Sequence, residues 1–84
     1  MKGLEVLLVS ENKIVIRSGP YEITFMKDEK TGKAKEAGFS YYANKMESSF
    51  IPSYFFNPAA QRANAIFYDR FHDRKKKKEI KHDF

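Results

Sequence analysis

The chain of 84 residues has no cysteine. That excludes disulfide staples, thiolate metal sites and a thiol nucleophile, and it fits a reducing compartment. Long apolar runs are missing too. The longest is Val6, Leu7, Leu8 and Val9, far short of the about 20 residues that a membrane-spanning helix needs. Glu5 and the polar residues from Ser10 to Lys13 cut the N-terminal apolarity too early for a secretory signal. The expectation is a cytoplasmic protein without a membrane partner. Glycine is sparse as well. Gly3, Gly19, Gly32 and Gly38 stand isolated, so no glycine-rich phosphate loop is present.

Catalytic signals are equally thin. Ser10, Ser18 and Ser40 sit in no readable activating context. The stretch DRFHDR brings Asp69, His72 and Asp73 within one helical turn, but the helical zinc spacing H-E-x-x-H is absent. The lysines that follow would repel a cation. The plainer reading is a surface His72, with Asp73 paired to Lys77 four residues on, worth about 0.2–0.5 kcal/mol. A non-enzymatic protein with no metal and no cofactor is expected.

What the chain does have is aromatic bulk and positive charge. A domain of this size buries only about 60% of the surface of its unfolded chain, so large rings must fill a thin core. Four of the eight Phe and three of the five Tyr residues fall in FSYYANKMESSFIPSYFF, residues 39–56. Phe39, Phe50, Phe55 and Phe56 lack a polar handle and are expected in the core. Tyr41, Tyr42 and Tyr54 can reach water with a hydroxyl and are the candidates for a surface.

The net charge of +5 is one-ended. Residues 1–56 carry eight basic and seven acidic side chains, whereas residues 57–84 carry eight and four. Such a surplus points to an acidic partner, nucleic acid being the commonest.

Local pattern predicts the elements. LEVLLVS, residues 4–10, reads as a strand buried on both faces. If it lies at an edge instead, it invites pairing with another chain. A polar turn leads to a second strand at Ile14–Arg17, which Ser18, Gly19 and Pro20 end. Tyr21, Ile23 and Phe25 alternate with Glu22, Thr24 and Met26 in a third strand. DEKTGK, residues 28–33, is the strongest turn signal: Asp28 favours a type I turn and Gly32 the left-handed position after it. A return strand is expected from about Ala34 to Ala43, then a turn or helical piece over 44–48 and an extended segment to Phe56. Asn57 and Pro58 read as N-cap and first residue of a long helix. Its apolar stripe is Ala59, Ala63, Ile66, Phe67 and Phe71.

The expected fold is therefore α+β, an antiparallel meander of three to five strands followed by one long amphipathic C-terminal helix packed on the sheet. Residues 1–78 form a single domain in this reading, with 79–84 a loose basic tail. The order YEITF, DEKTGK, GFSYY and NPAAQRANAIFYDRF is similar in outline to small sheet-plus-helix DNA readers such as the arm-binding domains of tyrosine recombinases. The outline covers one hairpin and one helix and gives no residue a role.

Two functional classes follow. In the first, a nucleic-acid-binding module, Arg62, Arg70, Arg74, Lys75, Lys76, Lys77 and Lys78 neutralise phosphates. Lys27, Lys30, Lys33 and Lys35 on the hairpin give a second basic contact, and Tyr41, Tyr42 and Tyr54 stack on bases. The partner is DNA or RNA. In the second, a protein-interaction module, a small inhibitor or adaptor such as mobile elements and phages encode docks on a larger partner or on an acidic protein surface. A homodimer is compatible with both.

Overall fold

In the computed structural model, the backbone is described for residues 3–82 and the side chains for residues 3–70. Strands β1 (Leu4–Val9), β2 (Lys13–Ser18), β3 (Tyr21–Lys27) and β4 (Ala34–Tyr41) form one antiparallel sheet in that order. Among the described residues one helix, α1 (Ser53–His82), packs on one face, against β2, β3 and β4. This is the expected α+β meander with a C-terminal helix.

The two turn signals act as their chemistry demands. The Asp28 carboxylate accepts the backbone N–H of Lys30 at 2.8 Å and of Thr31 at 3.3 Å, an Asx turn that holds the β3–β4 tip. Gly32 then takes φ 74°, a conformation open to glycine at little cost. At the β2–β3 turn Gly19 has φ 58°. Here space matters as much as backbone angle, because a Cβ would lie 2.3 Å from Cε1 of Phe55.

Strand alternation sends Ile14 and Ile16 of β2 and Ile23 and Phe25 of β3 to the helix side, where they meet Ala59, Ala63 and Phe67. The two alanines are fully buried. Their small side chains let α1 lie close to the sheet, so each large residue loses nearly all its contact with water. Full burial of such a side chain stabilises by about 1.5–3 kcal/mol. Among the described residues, the opposite face of the sheet carries no helix. It shows Glu5, Leu8, Val15, Arg17, Glu22, Thr24 and Met26, as the strand register requires.

Three expectations are corrected. The first strand is not buried on both faces. It is an edge, paired only with β2 among the described residues, and Leu7, Leu8 and Val9 are exposed. Apolarity reported a strand but not its place in the sheet. Second, the helix begins at Ser53 rather than at Asn57 and Pro58. The Pro52 carbonyl accepts the N–H groups of Phe55 and Phe56, each at 3.0 Å, so Pro52 is the backbone cap. Pro58 then sits inside the helix and has no N–H to give the Tyr54 carbonyl. Ring packing offsets that loss, since helical geometry turns Phe55 onto Tyr21 and Phe56 onto Phe25. Third, Phe50 is not core but 69% exposed. It lies in the connection between β4 and α1. Phe39 and Phe56 pack against the core, part-buried.

The rest of that connection returns along the end of β4. The Tyr41 N–H donates to the Met46 carbonyl at 2.9 Å, and Ser40 and Glu47 form an isolated antiparallel bridge. The return strand thus stops at Tyr41, and a turn with Lys45 at φ 61° follows.

Candidate nucleic-acid interface

The meander gives the molecule two ends. The β1–β2 turn and the β3–β4 tip lie at one end, and the β2–β3 turn, the close of β4 and the start of α1 lie at the other. The helix runs from the second end toward the first. Its 30 residues measure about 45 Å at ~1.5 Å per residue, whereas the seven residues of β3 cover about 23 Å at ~3.3 Å each. The helix therefore outruns the sheet, consistent with a longest dimension of 51 Å.

At the first end, the hairpin tip stands against the flank of α1. Lys27, Lys30 and Lys33 line an open cleft of about 980 Å³ with Asn64, Phe67 and Tyr68. Glu29 and Asp69 also border it, which leaves one positive charge in excess at the cleft itself. The Asn64 side-chain oxygen accepts the Ala34 N–H at 2.6 Å and ties the start of β4 to the helix. Tyr68 is 61% exposed there. Arg70 belongs to this end too, but Nη1 donates to the Ser10 carbonyl at 3.2 Å, so it partly serves to anchor the β1–β2 turn. Beyond Arg70 the helix backbone continues to His82. Its sequence there carries Arg74, Lys75, Lys76, Lys77 and Lys78, whose side chains lie outside the described residues, as do His72 and Asp73.

The three nominated tyrosines lie at the other end. Tyr41 stacks on Tyr21 with ring centroids 5.5 Å apart, and Tyr21 in turn meets Phe55 at 5.4 Å. Tyr42 is packed by cations, with the Arg17 guanidinium 4.3 Å and the Lys45 ammonium 4.5 Å from its ring centre. Those cations also meet carboxylates, Arg17 with Glu5 and Lys45 with Glu22. Tyr54 is 72% exposed but leans on Phe55. Lys35 pairs with Met26 in the register and so faces the side of the sheet away from the helix. Arg62 lies on the β1 flank of α1, near Leu4 and Pro58.

The structure thus brings Lys33 together with Lys27 and Lys30, and sets Arg70 at the same end. It separates this group from Tyr41, Tyr42 and Tyr54 by the length of the sheet. The ring it places among the lysines is Tyr68, which lies outside the apolar stripe read from the sequence. Its spacing of four from Asn64 was the available signal, but the lysines come from a hairpin far away in sequence.

Among the described residues, no group of three His, Cys, Asp or Glu side chains is placed to hold a metal, and no helix is long and apolar enough to cross a membrane. No family model, no curated protein and no solved structure matches this chain.

Proposed function

We propose that this protein is a small, non-enzymatic nucleic-acid-binding module whose contact surface is the basic end. The observation that carries the reading is the convergence of Lys27, Lys30 and Lys33 with an exposed Tyr68 in one cleft, at the end toward which α1 continues into Arg74, Lys75, Lys76, Lys77 and Lys78. Ammonium groups attract phosphates and release counterions. A ring beside them offers a face to an unpaired base, worth about 1–3 kcal/mol per stacked base.

Fluorescence anisotropy with short single-stranded and duplex probes tests this. Affinity is expected to fall by about 0.7–0.9 decades per decade of salt for each phosphate contacted. Binding should weaken in Lys30→Glu/Lys33→Glu and in Tyr68→Ala, and persist in Tyr54→Ala. Absence of binding at low salt would overturn the proposal.

A second reading, a module that docks on a larger protein, is favoured by the exposed Met46, Phe50 and Tyr54 near the opposite end. Loss of a captured protein partner in Phe50→Ser, with nucleic-acid binding absent, would select it.

A further inference from the structure

We infer that β1 is a docking edge for an extended segment of a partner protein, one that sets a carboxylate beside Arg62 and apolar side chains further along the same face. The inference does not rest on the nucleic-acid reading, because β1 and the cleft at the hairpin tip are separate surfaces. The two edges of the sheet are built differently. The close of β4 is covered by the chain's own return, through the Tyr41–Met46 hydrogen bond and the Ser40–Glu47 bridge. Its start is irregular and charged, with a register shift against β3 and with Lys35 and Glu36. Irregularity and charge are the usual means of keeping an edge from pairing. β1 has a register shift of its own beside Leu7, but between Leu4 and Val9 its only charge is Glu5 and it has no proline. Leu7, Leu8 and Val9 are exposed.

Charge on the helix side of this edge selects the occupant. Leu4 and Val6 pair with Ser18 and Ile16 and face the helix; past the register shift Val9 pairs with Ile14 and faces the same way. Because α1 packs on β2, β3 and β4, these three form an apolar ledge beside it. Arg62 stands over the Leu4 end of the ledge, in an open cavity of about 340 Å³ that Pro58, Gln61 and Ala65 also line. It is the one charged side chain of that cavity, and among the described residues no carboxylate pairs with it. At the Val9 end the Arg70 guanidinium donates to the Ser10 carbonyl, and Glu11 follows in the same turn, so charge there is offset. A strand added to β1 turns alternate residues toward the ledge. Its residue opposite Leu4 reaches Arg62, where Asp or Glu forms charge-assisted hydrogen bonds. Its next residue on that face lies opposite Val6, where an apolar side chain fits. A second copy's β1 does not meet this requirement. Its sole carboxylate, Glu5, pairs with Arg17 on the other side of the sheet, and antiparallel pairing of two β1 edges would turn both Arg62-bearing flanks toward each other.

The test uses a blocked, fluorescein-labelled peptide that alternates valine with threonine and carries one glutamate on its valine face, read by anisotropy against the full chain. The glutamate peptide is expected to bind, and a peptide with lysine in place of the glutamate about tenfold or more weakly. Arg62→Glu, at an exposed position, should reverse that preference while far-ultraviolet circular dichroism and thermal midpoint stay unchanged. N-methylation of the peptide amides that face β1 should abolish binding, because strand addition depends on main-chain hydrogen bonds. Lys30→Glu/Lys33→Glu should leave peptide affinity as it is, which separates this edge from the cleft. Absence of binding at hundreds of micromolar, equal affinity for the glutamate and lysine peptides, or full binding of the N-methylated peptide would overturn the inference. A wild-type chain whose dimerisation in sedimentation velocity excludes the peptide would overturn it too, and give the edge to a second copy.

Discussion

The two ends of this molecule are made of different materials. The end around Gly19, Tyr21, Tyr41 and Phe55 is a network of rings in mutual contact, closed by ion pairs that also flank Tyr42. The end around Lys27, Lys30, Lys33 and Tyr68 is an open cleft that Glu29 and Asp69 also border. The difference teaches that the ring contacts and the lysine cluster, although both draw on the sheet and the helix, are set at separate ends of the molecule. At one end the rings hold the helix to the sheet. At the other, three lysines with Glu29 and Asp69 border a cleft between the hairpin tip and the helix.

Substitutions can break or sharpen this contrast. The largest effect is expected at the ring end. Gly19→Ala forces a Cβ toward the Phe55 ring and an unfavourable backbone angle, and should cost about 2–4 kcal/mol of folding stability, read by urea denaturation. Next is Lys30→Glu/Lys33→Glu at the cleft. It should lower nucleic-acid affinity by about tenfold or more, while folding stability shifts by no more than about 0.5 kcal/mol. A comparable loss of stability in this variant would mean that the cleft is a structural feature. Third, Asn64→Ala leaves the Ala34 N–H without its acceptor and should cost about 1–2 kcal/mol. Faster amide hydrogen exchange at the hairpin should accompany it, because the tie between tip and helix is cut. Tyr42→Ala removes the ring shared by Arg17 and Lys45 and should cost about 1 kcal/mol, with nucleic-acid affinity unchanged. The smallest effect is expected for Phe50→Ser, within about 0.5 kcal/mol, because its ring is already largely in water.

Much of the fold is legible in local pattern. Alternation in Tyr21–Lys27 sets which side chains face the helix, and the Asp28 and Gly32 chemistry sets the hairpin tip. The stripe through Ala59, Ala63, Ile66 and Phe67 marks the helix and the side it buries. The errors fall where a local signal was answered by a distant partner. Asn57 and Pro58 look like a helix start in isolation. The helix nonetheless begins at Ser53, because Phe55 and Phe56 find Tyr21 and Phe25 more than 30 residues upstream. Phe50 looks like core because it is large and apolar, yet the connection it belongs to runs along the end of β4, where nothing among the described residues covers it fully. The candidate site divides in the same way. The cations could be counted from the sequence, but the tyrosines nominated beside them lie at the far end, and the ring that joins them is Tyr68.

By itself, the sequence determined the strands, the two glycine turns, the long helix, and a charge excess that lies in the last third of the chain. Those features depend on backbone preferences and periodicities that act over a few residues. Only the tertiary structure decided that β1 is an edge, that one sheet face carries no helix among the described residues, and that lysines from a hairpin meet a tyrosine from the helix. Such outcomes depend on which strand pairs with which and on where the helix crosses. Those choices are made by burying apolar surface between segments that no local pattern connects.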